Sequence, residues 1–571
     1  MGMIDQLVGN HGKTKSRKDL RLSPEERAYL ELNDRGNARR ILAAYGEDLV
    51  FVLGKGWGVW DGNCFSFQSG ILRAAEIFAR LPDLVAEEIK AVAIQQFSEL
   101  EVARFRQREA DKPKDPRRFV TDEEASEAMR QDRIKALRKH QTTVGNVDKQ
   151  GKALKACEWQ VRAEIHDLDA DPWLLVVKNG AVDLRRVKDA PPPDGAGDWN
   201  PDKDLSAWRR DWLVPVDRAP RPTRCAGTPF VPGATCSEWE QFMLLIVPDY
   251  DIRACLKRAL GALVFGQNPA QVALLVRGAG GNGKSTLAKI LGEVLGSFGG
   301  YAAPAKVEMF LQTQNQSAGQ ATPEEVDLPG ARVILASEPA VTDVFSAKKI
   351  KSLTGGDLRP ARALGMPQFV YRPTGIPVIF FNRTPKIKDE DDGTRRRLVF
   401  IPLDVNLREL PQEQRRGELE INAALMAELP GILNWLLDGF RDFFERLEQG
   451  KGVPPGIDSP KAMLTLKDRL MEAADPVGTF LRECADIEPD TRTRTADFFK
   501  AFKAWAKEVG ARVYSDSALR DNLNEKGFER GKSNGLMVFR GFKLKDEPMV
   551  NDYLKASNQP PDDGYTPDDF R

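Results

Sequence analysis

Val272-Ala273-Leu274-Leu275-Val276 leads, through Arg277, into Gly278-Ala279-Gly280-Gly281-Asn282-Gly283-Lys284-Ser285-Thr286, and Leu287-Ala288-Lys289-Ile290-Leu291-Gly292-Glu293-Val294-Leu295 follows. An apolar strand, a glycine-rich turn and an apolar helix in this order match G-x-x-x-x-G-K-[ST] in full. The chemistry explains the pattern. Glycines let the backbone curl so that its N–H groups converge on phosphate oxygens. The helix N-terminus adds a positive partial charge. Lys284 supplies a full charge to the β- and γ-phosphates, and Ser285 offers a hydroxyl to Mg²⁺. Gly278, Ala279, Gly280, Gly281, Asn282, Gly283, Lys284, Ser285 and Thr286 are therefore the candidate nucleotide-binding residues, and ATP with Mg²⁺ is the expected ligand pair.

Working outward, Arg332-Val-Ile-Leu-Ala-Ser-Glu338 reads as a buried strand with an acid at its C-terminal tip. Ligands of open parallel sheets bind at that edge, so Glu338 is a candidate for holding the metal, for activating water, or for both. A second strand, Ile376-Pro-Val-Ile-Phe-Phe, ends in Asn382, an amide placed to orient an attacking water. Leu398-Val-Phe-Ile-Pro is a third strand, preceded by Arg395, Arg396 and Arg397. A guanidinium delivered to the γ-phosphate stabilises transition-state charge, and in ring motors an adjacent subunit supplies it. Lys284, Glu338, Asn382, Arg396 and Arg397 form the candidate catalytic set, and Ser285 with Glu338 the candidate metal set.

The chain of 571 residues is too long for one hydrophobic core. Residues 1–32 read as a polar, disordered tail. Residues 33–236 contain a strand at Leu49-Val-Phe-Val-Leu, a strand and turn at Gly56–Gly62, a helical stretch to His140, and a hairpin turning at Asn179-Gly180. Within the helical stretch Arg130, Arg133, Lys135, Arg138 and Lys139 read as a solvated face. Residues 237–450 hold helices and the alternating strand-and-helix section. Residues 451–474 look like a linker, 475–545 a small compact unit of three helices and a hairpin, and 546–571 a loose acidic tail. Lys plus Arg and Asp plus Glu balance at 84 each, so any nucleic-acid contact requires a local patch. No stretch has the length and apolarity of a membrane span. Six scattered cysteines form no metal-binding spacing and read as reduced thiols of a cytoplasmic protein.

In this order and spacing, the stretches above resemble superfamily 3 helicases, nearest to the phage and plasmid P4-type primase–helicases and the poxvirus D5-like helicases. Gly278–Thr286 is similar to that branch's Walker A loop, and Glu338 stands where its Walker B acid belongs. Ile350-Lys-Ser-Leu-Thr-Gly-Gly-Asp357 with Arg362 resembles its B′ motif. Asn382-Arg-Thr-Pro385 resembles its motif C, and Asp391-Asp-Gly-Thr-Arg-Arg-Arg397 its arginine-finger region. Gly56–Gly62 and Asn179-Gly-Ala-Val-Asp-Leu184 resemble the D5 N-terminal domain, and 475–545 the winged helix that often follows such motors. There are two departures. Ser337 replaces an acid found before Glu338 in some members, and Arg395 stands where the branch often has Trp, which leaves Arg396 and Arg397 as alternative fingers.

The resemblance implies an α/β fold. Its AAA+-like P-loop NTPase core has a parallel sheet flanked by helices, with a mixed α+β D5-like N-terminal domain and a C-terminal winged helix. It implies a homo-oligomer, a hexameric ring that unwinds DNA with 3′-to-5′ polarity in phage or plasmid replication and acts on single-stranded and forked DNA. Relatives often carry a primase domain upstream. Too little chain precedes residue 33 for one, so no primer synthesis is expected, and a separate primase or polymerase is an expected partner. The segment 345–397 contains twelve Lys or Arg against five Asp or Glu. Within it Lys348, Lys349, Lys351, Arg359 and Arg362 are the candidate DNA contacts, since phosphate contacts of this kind are sequence-independent. The alternative readings are a P-loop ATPase that remodels or loads a protein, an origin-binding switch without unwinding, and an RNA-directed motor.

Overall fold

The computed structural model describes residues 21–113, 116–190, 209–312, 322–337, 344–382, 386–388, 392–412, 415–509, 511, 513–533, 535–546 and 548–555. The first region is built on an antiparallel hairpin of Leu49–Val52 with Gly56–Trp60. Gly54 makes the turn at φ 84°, which a side chain rarely adopts. Helices from Asp34 to Cys157 close over it around Ile41, Leu49, Trp57, Phe78 and Leu137. Order begins earlier than the sequence suggests. Ser23 and Glu26 cap a short helix reciprocally, and Ala28 is fully buried. The long helix Asp122–Val144 explains why, because Arg133 turns inward to donate to the carbonyls of Ala28 and Leu30. The basic run on that helix is thus not wholly a solvated face.

A second difference concerns where this region stops. The strands Leu174–Val177, Gly180–Asp183 and Leu213–Val214 form their own antiparallel sheet. Their apolar side chains share one cluster with the residues after 237, running from Trp173 to Met463. Val176 accepts from the Ala226 amide, and Gly227 donates to Val294. The 173–236 stretch therefore folds against the parallel sheet, because its hairpin is apolar on the face that meets it.

That sheet contains β1 (Ala273–Arg277), β2 (Ala302–Pro304), β3 (Val333–Ser337), β4 (Ile376–Phe381) and β5 (Leu398–Pro402). All pairings are parallel, in the order β5-β1-β4-β3-β2. β1, β4 and β5 are buried almost throughout, as a sheet covered on both faces requires. Beside it stand α1 (Ser237–Ile246), α2 (Lys284–Leu295), α3 (Ala347–Gly355), α4 (Glu418–Ala427) and α5 (Leu429–Glu448). The helix Tyr250–Gly261 crosses α5 so closely that a Cβ on Gly261 would lie 2.2 Å from the backbone of Gly439.

The stretch expected as a linker holds α6 (Lys461–Ala474), with Met463 and Met471 buried against the two faces of the core. The C-terminal unit runs α7 (Pro476–Cys484), β6 (Ala485–Arg494), α8 (Thr495–Glu508), α9 (Asp516–Glu525), β7 (Arg530–Ser533) and β8 (Leu536–Leu544). Its antiparallel sheet has the order β6-β8-β7, which adds a strand to the expected three helices and hairpin. The expected loose tail begins instead with α10 (Pro548–Lys555), whose Val550 and Tyr553 are buried in this unit's core.

Candidate phosphate-binding site

The glycine loop leaves β1 and enters α2 through three left-handed glycines: Gly280 at φ 97°, Gly281 at 68° and Gly283 at 78°. Space also selects glycine. A Cβ at Gly283 would stand 2.9 Å from Ile246 Cγ2, and one at Gly278 would stand 2.9 Å from the Leu403 carbonyl. Gly283 is the N-cap of α2 and carries no side-chain cap, and no acid occupies the first turn. The first-turn amides of a 12-residue helix therefore face the loop's concavity, an arrangement that suits an anion. Lys284 belongs to that turn, and its ammonium donates to the Gly278 carbonyl at 2.6 Å, which folds the side chain back over the loop.

Neighbouring strand exits pin the loop from both sides. The Gly278 amide donates to Phe381 at 3.1 Å, which brings the tip of β4 and Asn382 alongside. Past β5, the Leu403 amide donates to Arg277 and the Leu407 amide to Gly281. Asn282 is buried; its Nδ2 donates to the Val405 carbonyl at 2.8 Å, while its Oδ1 has no partner. Thr286 is buried and Ser285 exposed at the mouth.

A cavity of about 910 Å³ opens over this loop, with Lys284, Ser285 and Asn382 in its wall. That is ample for a nucleotide-sized ligand. Its far wall is apolar, with Phe242 and Leu245 from α1 and Ile421 and Leu425 from α4. Arg416 ties the two helices together by pairing with Glu238 and, at 2.9 Å, with Glu420. Arg408 and Arg415 also line the cavity. They belong to no motif. The sequence reading missed them, and the signal that could have found them is position, since a loop leaving the C-terminal end of a parallel strand borders the ligand.

Of the candidate residues, Gly278–Thr286 and Asn382 come together here. Glu338 lies outside the described residues. β3 ends one residue earlier at Ser337, which pairs with Phe380. Arg396 and Arg397 are elsewhere. The Ala273 amide donates to the Arg397 carbonyl, so the three arginines stand at the N-terminal edge of the sheet, roughly 15 Å along β1 from the loop. There both Arg396 and Arg397 donate to Gln271 Oε1, at 3.2 and 3.1 Å, and Arg395 pairs with Asp468.

The basic candidates divide in the same way. Lys348 and Arg362 are exposed, and Lys351 is half-buried on α3. The Lys349 ammonium lies 3.4 Å from the Glu308 carbonyl, and burial, with Arg359 beside it, lowers its pKa. Arg359 is committed inward. It pairs with Glu325 and donates to Ser352 at 2.8 Å, while Tyr371 donates to the same carboxylate at 2.9 Å. Burial pulls the Arg359 pKa down, but Glu325 outweighs it and leaves the group above its ordinary value. Arg359 thus anchors the hairpin of Arg359–Ala361 with Phe369–Tyr371.

Residues 38–248 match the family model described as D5 N terminal like. The match covers well under half of the chain and is to the N-terminal region of that family. Two viral proteins are also similar to parts of this chain. "Putative helicase L207/L206" of Acanthamoeba polyphaga mimivirus is 34% identical over 161 residues, which is 28% of this chain and 16% of that one. "Putative helicase 121R" of Invertebrate iridescent virus 3 is 25% identical over 286 residues, 47% of this chain and 30% of that one. The chain thus spans well under half the length of either relative. The apo structure of the NrS-1 C-terminal region is 12% identical at a TM-score of 0.32, covering 54% of this chain and 76% of that one. Among the described residues, no helix is long and apolar enough to cross a membrane.

Proposed function

We propose that the protein is an ATP-driven replicative DNA helicase of the superfamily 3 type, working as a ring of identical subunits. The observation that carries this reading is a separation. The glycine loop and Asn382 share one cavity, whereas the arginines suited to stabilise γ-phosphate charge stand at the opposite edge of the same sheet. A chain so built needs a second copy to complete a site. The two relatives named as helicases support the same direction.

In this mechanism the α2 amides and Lys284 hold the triphosphate. Ser285 and Glu338 would hold Mg²⁺, which when bound neutralises phosphate charge, and the exposed Ser285 hydroxyl fits that duty. Asn382 orients the attacking water, and the apolar wall between α1 and α4 receives the base. Arg396 or Arg397 reaches the γ-phosphate of the neighbouring subunit. Lys348, Lys351 and Arg362, in the segment between β3 and β4, contact the strand in the ring's channel, and hydrolysis moves that segment. The order of elements in the C-terminal unit supports reading it as a winged helix.

The test is ATPase and strand displacement on size-fractionated protein, with forked DNA of both polarities. DNA-stimulated turnover and unwinding in the oligomer fraction is the expected result. Turnover indifferent to DNA, without displacement, would instead indicate a protein remodeller or loader. Sequence-specific duplex binding without turnover would indicate an origin switch.

A further inference from the structure

In the C-terminal unit, charge sits where a winged helix does not ordinarily keep it. α9, the helix that would enter a groove, reads Asp-Ser-Ala-Leu-Arg-Asp-Asn-Leu-Asn-Glu, three acids against one arginine. Arg520 itself donates back to the Asp516 carbonyl at 3.1 Å. Lys526, just past the helix, pairs with Asp475 at 2.6 Å. A phosphate backbone would be repelled by this surface.

The sheet is the opposite. Residues 492–494 of β6, 530–533 of β7 and 536–540 of β8 carry Arg492, Arg494, Arg530, Lys532 and Arg540, and no acid. Arg492 and Arg540 are direct cross-strand partners, so both project from one face, and Arg494 joins them two residues along. Like charges placed so close cost stability unless an anion relieves them. The Arg540 guanidinium lies over Gly531, which would set a Cβ 3.4 Å from its Nε. Arg492 donates to Ser533 Oγ at 2.7 Å. Among the described residues, the ion pairs of this unit use Lys503, Lys526 and Lys543 and none of these five cations. Of the acids of β6, Asp486 precedes the irregular stretch between Ile487 and Arg492, and Glu488 and Asp490 fall within it, outside the regular pairing of Arg492–Arg494 with β8.

We propose that the outer face of the β6-β8-β7 sheet, centred on Arg492, Arg494 and Arg540, binds the phosphate backbone of duplex DNA, and that α9 does not. This deepens the helicase reading by placing the duplex contact, and it rests on that reading only for its biological purpose. A duplex is favoured over a single strand because the exposed large apolar side chains described in this unit are Ile487, Val509, Val513 and Leu536, none with a ring for a base to stack on. The contact is independent of sequence, since guanidiniums on a sheet face meet phosphates and reach no base edge.

The experiment uses the full chain without nucleotide, titrated onto a 30-base-pair duplex of arbitrary sequence and onto a single strand of the same length, across a range of salt. For Arg492→Ala/Arg494→Ala/Arg540→Ala, duplex affinity is expected to fall about tenfold or more. The slope of log K against log salt should become shallower by about 2.7, roughly 0.9 for each phosphate left without its guanidinium. The triple Arg→Lys variant should retain most of the binding, which separates charge from misfolding, and Arg520→Ala should stay within twofold of the parent. Duplex binding unchanged in the alanine triple overturns the proposal. So does an equal loss in Arg520→Ala, or a loss confined to the single strand. ATPase without DNA, which the triple should leave unchanged, keeps the two questions apart. A chain that binds duplex through this face yet never turns over ATP would sink the motor and leave the contact standing.

Discussion

At the C-terminal ends of β1 and β4, the parallel sheet gathers its polar groups around an open concavity. Lys284 folds over the loop, the α2 amides have no side-chain cap, and Asn382 stands beside them. At the N-terminal end of β5 the same sheet carries three consecutive arginines held by side chains of their own chain. Arg396 and Arg397 share Gln271 as an acceptor, and Arg395 reaches Asp468. Under the proposed function one edge is a receptor that awaits a catalytic arginine, and the other holds arginines for a receptor elsewhere. Within one chain the two cannot meet, because the strands between them are rigid and buried. Under the proposed ring the difference makes the reactive unit a junction between copies, and either edge studied alone is then expected to look inert.

The comparison breaks at once if the receptor edge does not bind triphosphate. Lys284→Ala is therefore expected to abolish ATP turnover altogether. Retained turnover in a purified, oligomer-sized fraction would end the case for this loop. Next in size come Arg396→Ala and Arg397→Ala. One of them should lower kcat by about a thousandfold while nucleotide affinity holds within a few-fold. Mixing sharpens this further. A Lys284→Ala subunit keeps its arginines and a finger variant keeps its loop, so combining the two inactive proteins should restore measurable ATPase. Failure of every mixture to recover activity would mean that the arginines act inside their own chain or not at all.

Much of the receptor edge was legible in the sequence because its chemistry is local. Glycines that must adopt positive φ, the lysine after them, and the apolar runs on either side all fall within about twenty-five residues. Asn382 was legible because it ends an apolar strand. What escaped was set by packing between distant segments. Arg408 and Arg415 carry no motif and reach the cavity only because the loop after β5 is tied to Gly281. Arg359 looked like one more cation of a basic stretch, and only the fold supplies Glu325 and Tyr371 from elsewhere. Their flanks likewise hid the order of 461–474 and 548–555. The first follows the turn-forming Gly452-Val-Pro-Pro-Gly456 and the second leads into an acidic, proline-containing end, yet each is fixed by two buried side chains, Met463 with Met471 and Val550 with Tyr553.

Arg408 offers a finer probe of the receptor edge. Its stem lies against the loop, with Cδ 3.5 Å from where a Cβ on Gly281 would stand. Arg408→Ala should weaken nucleotide binding by about tenfold, with kcat at saturation changed much less, because a ground-state contact acts on affinity. A fall in kcat at unchanged affinity would instead make it a transition-state group, and the arginines of the far edge would lose their distinct role.

The smallest effect separates charge held by the fold from charge kept for a ligand. Glu325 is almost buried and accepts from both Arg359 and Tyr371, so removing the guanidinium strands a carboxylate. Arg359→Ala should cost about 3 kcal/mol of stability, read as an earlier unfolding midpoint in urea. Adding Glu325→Gln to it should recover most of the loss, since the stranded charge goes with it. Lys351→Ala, on the neighbouring helix, should leave the midpoint within about 0.5 kcal/mol of the parent. Its expected defect is a weaker response of ATPase to single-stranded DNA. If instead Arg359→Ala unfolds at the parent's urea concentration and loses the DNA response, the inward pair is not structural, and Arg359 belongs with the cations that meet the strand.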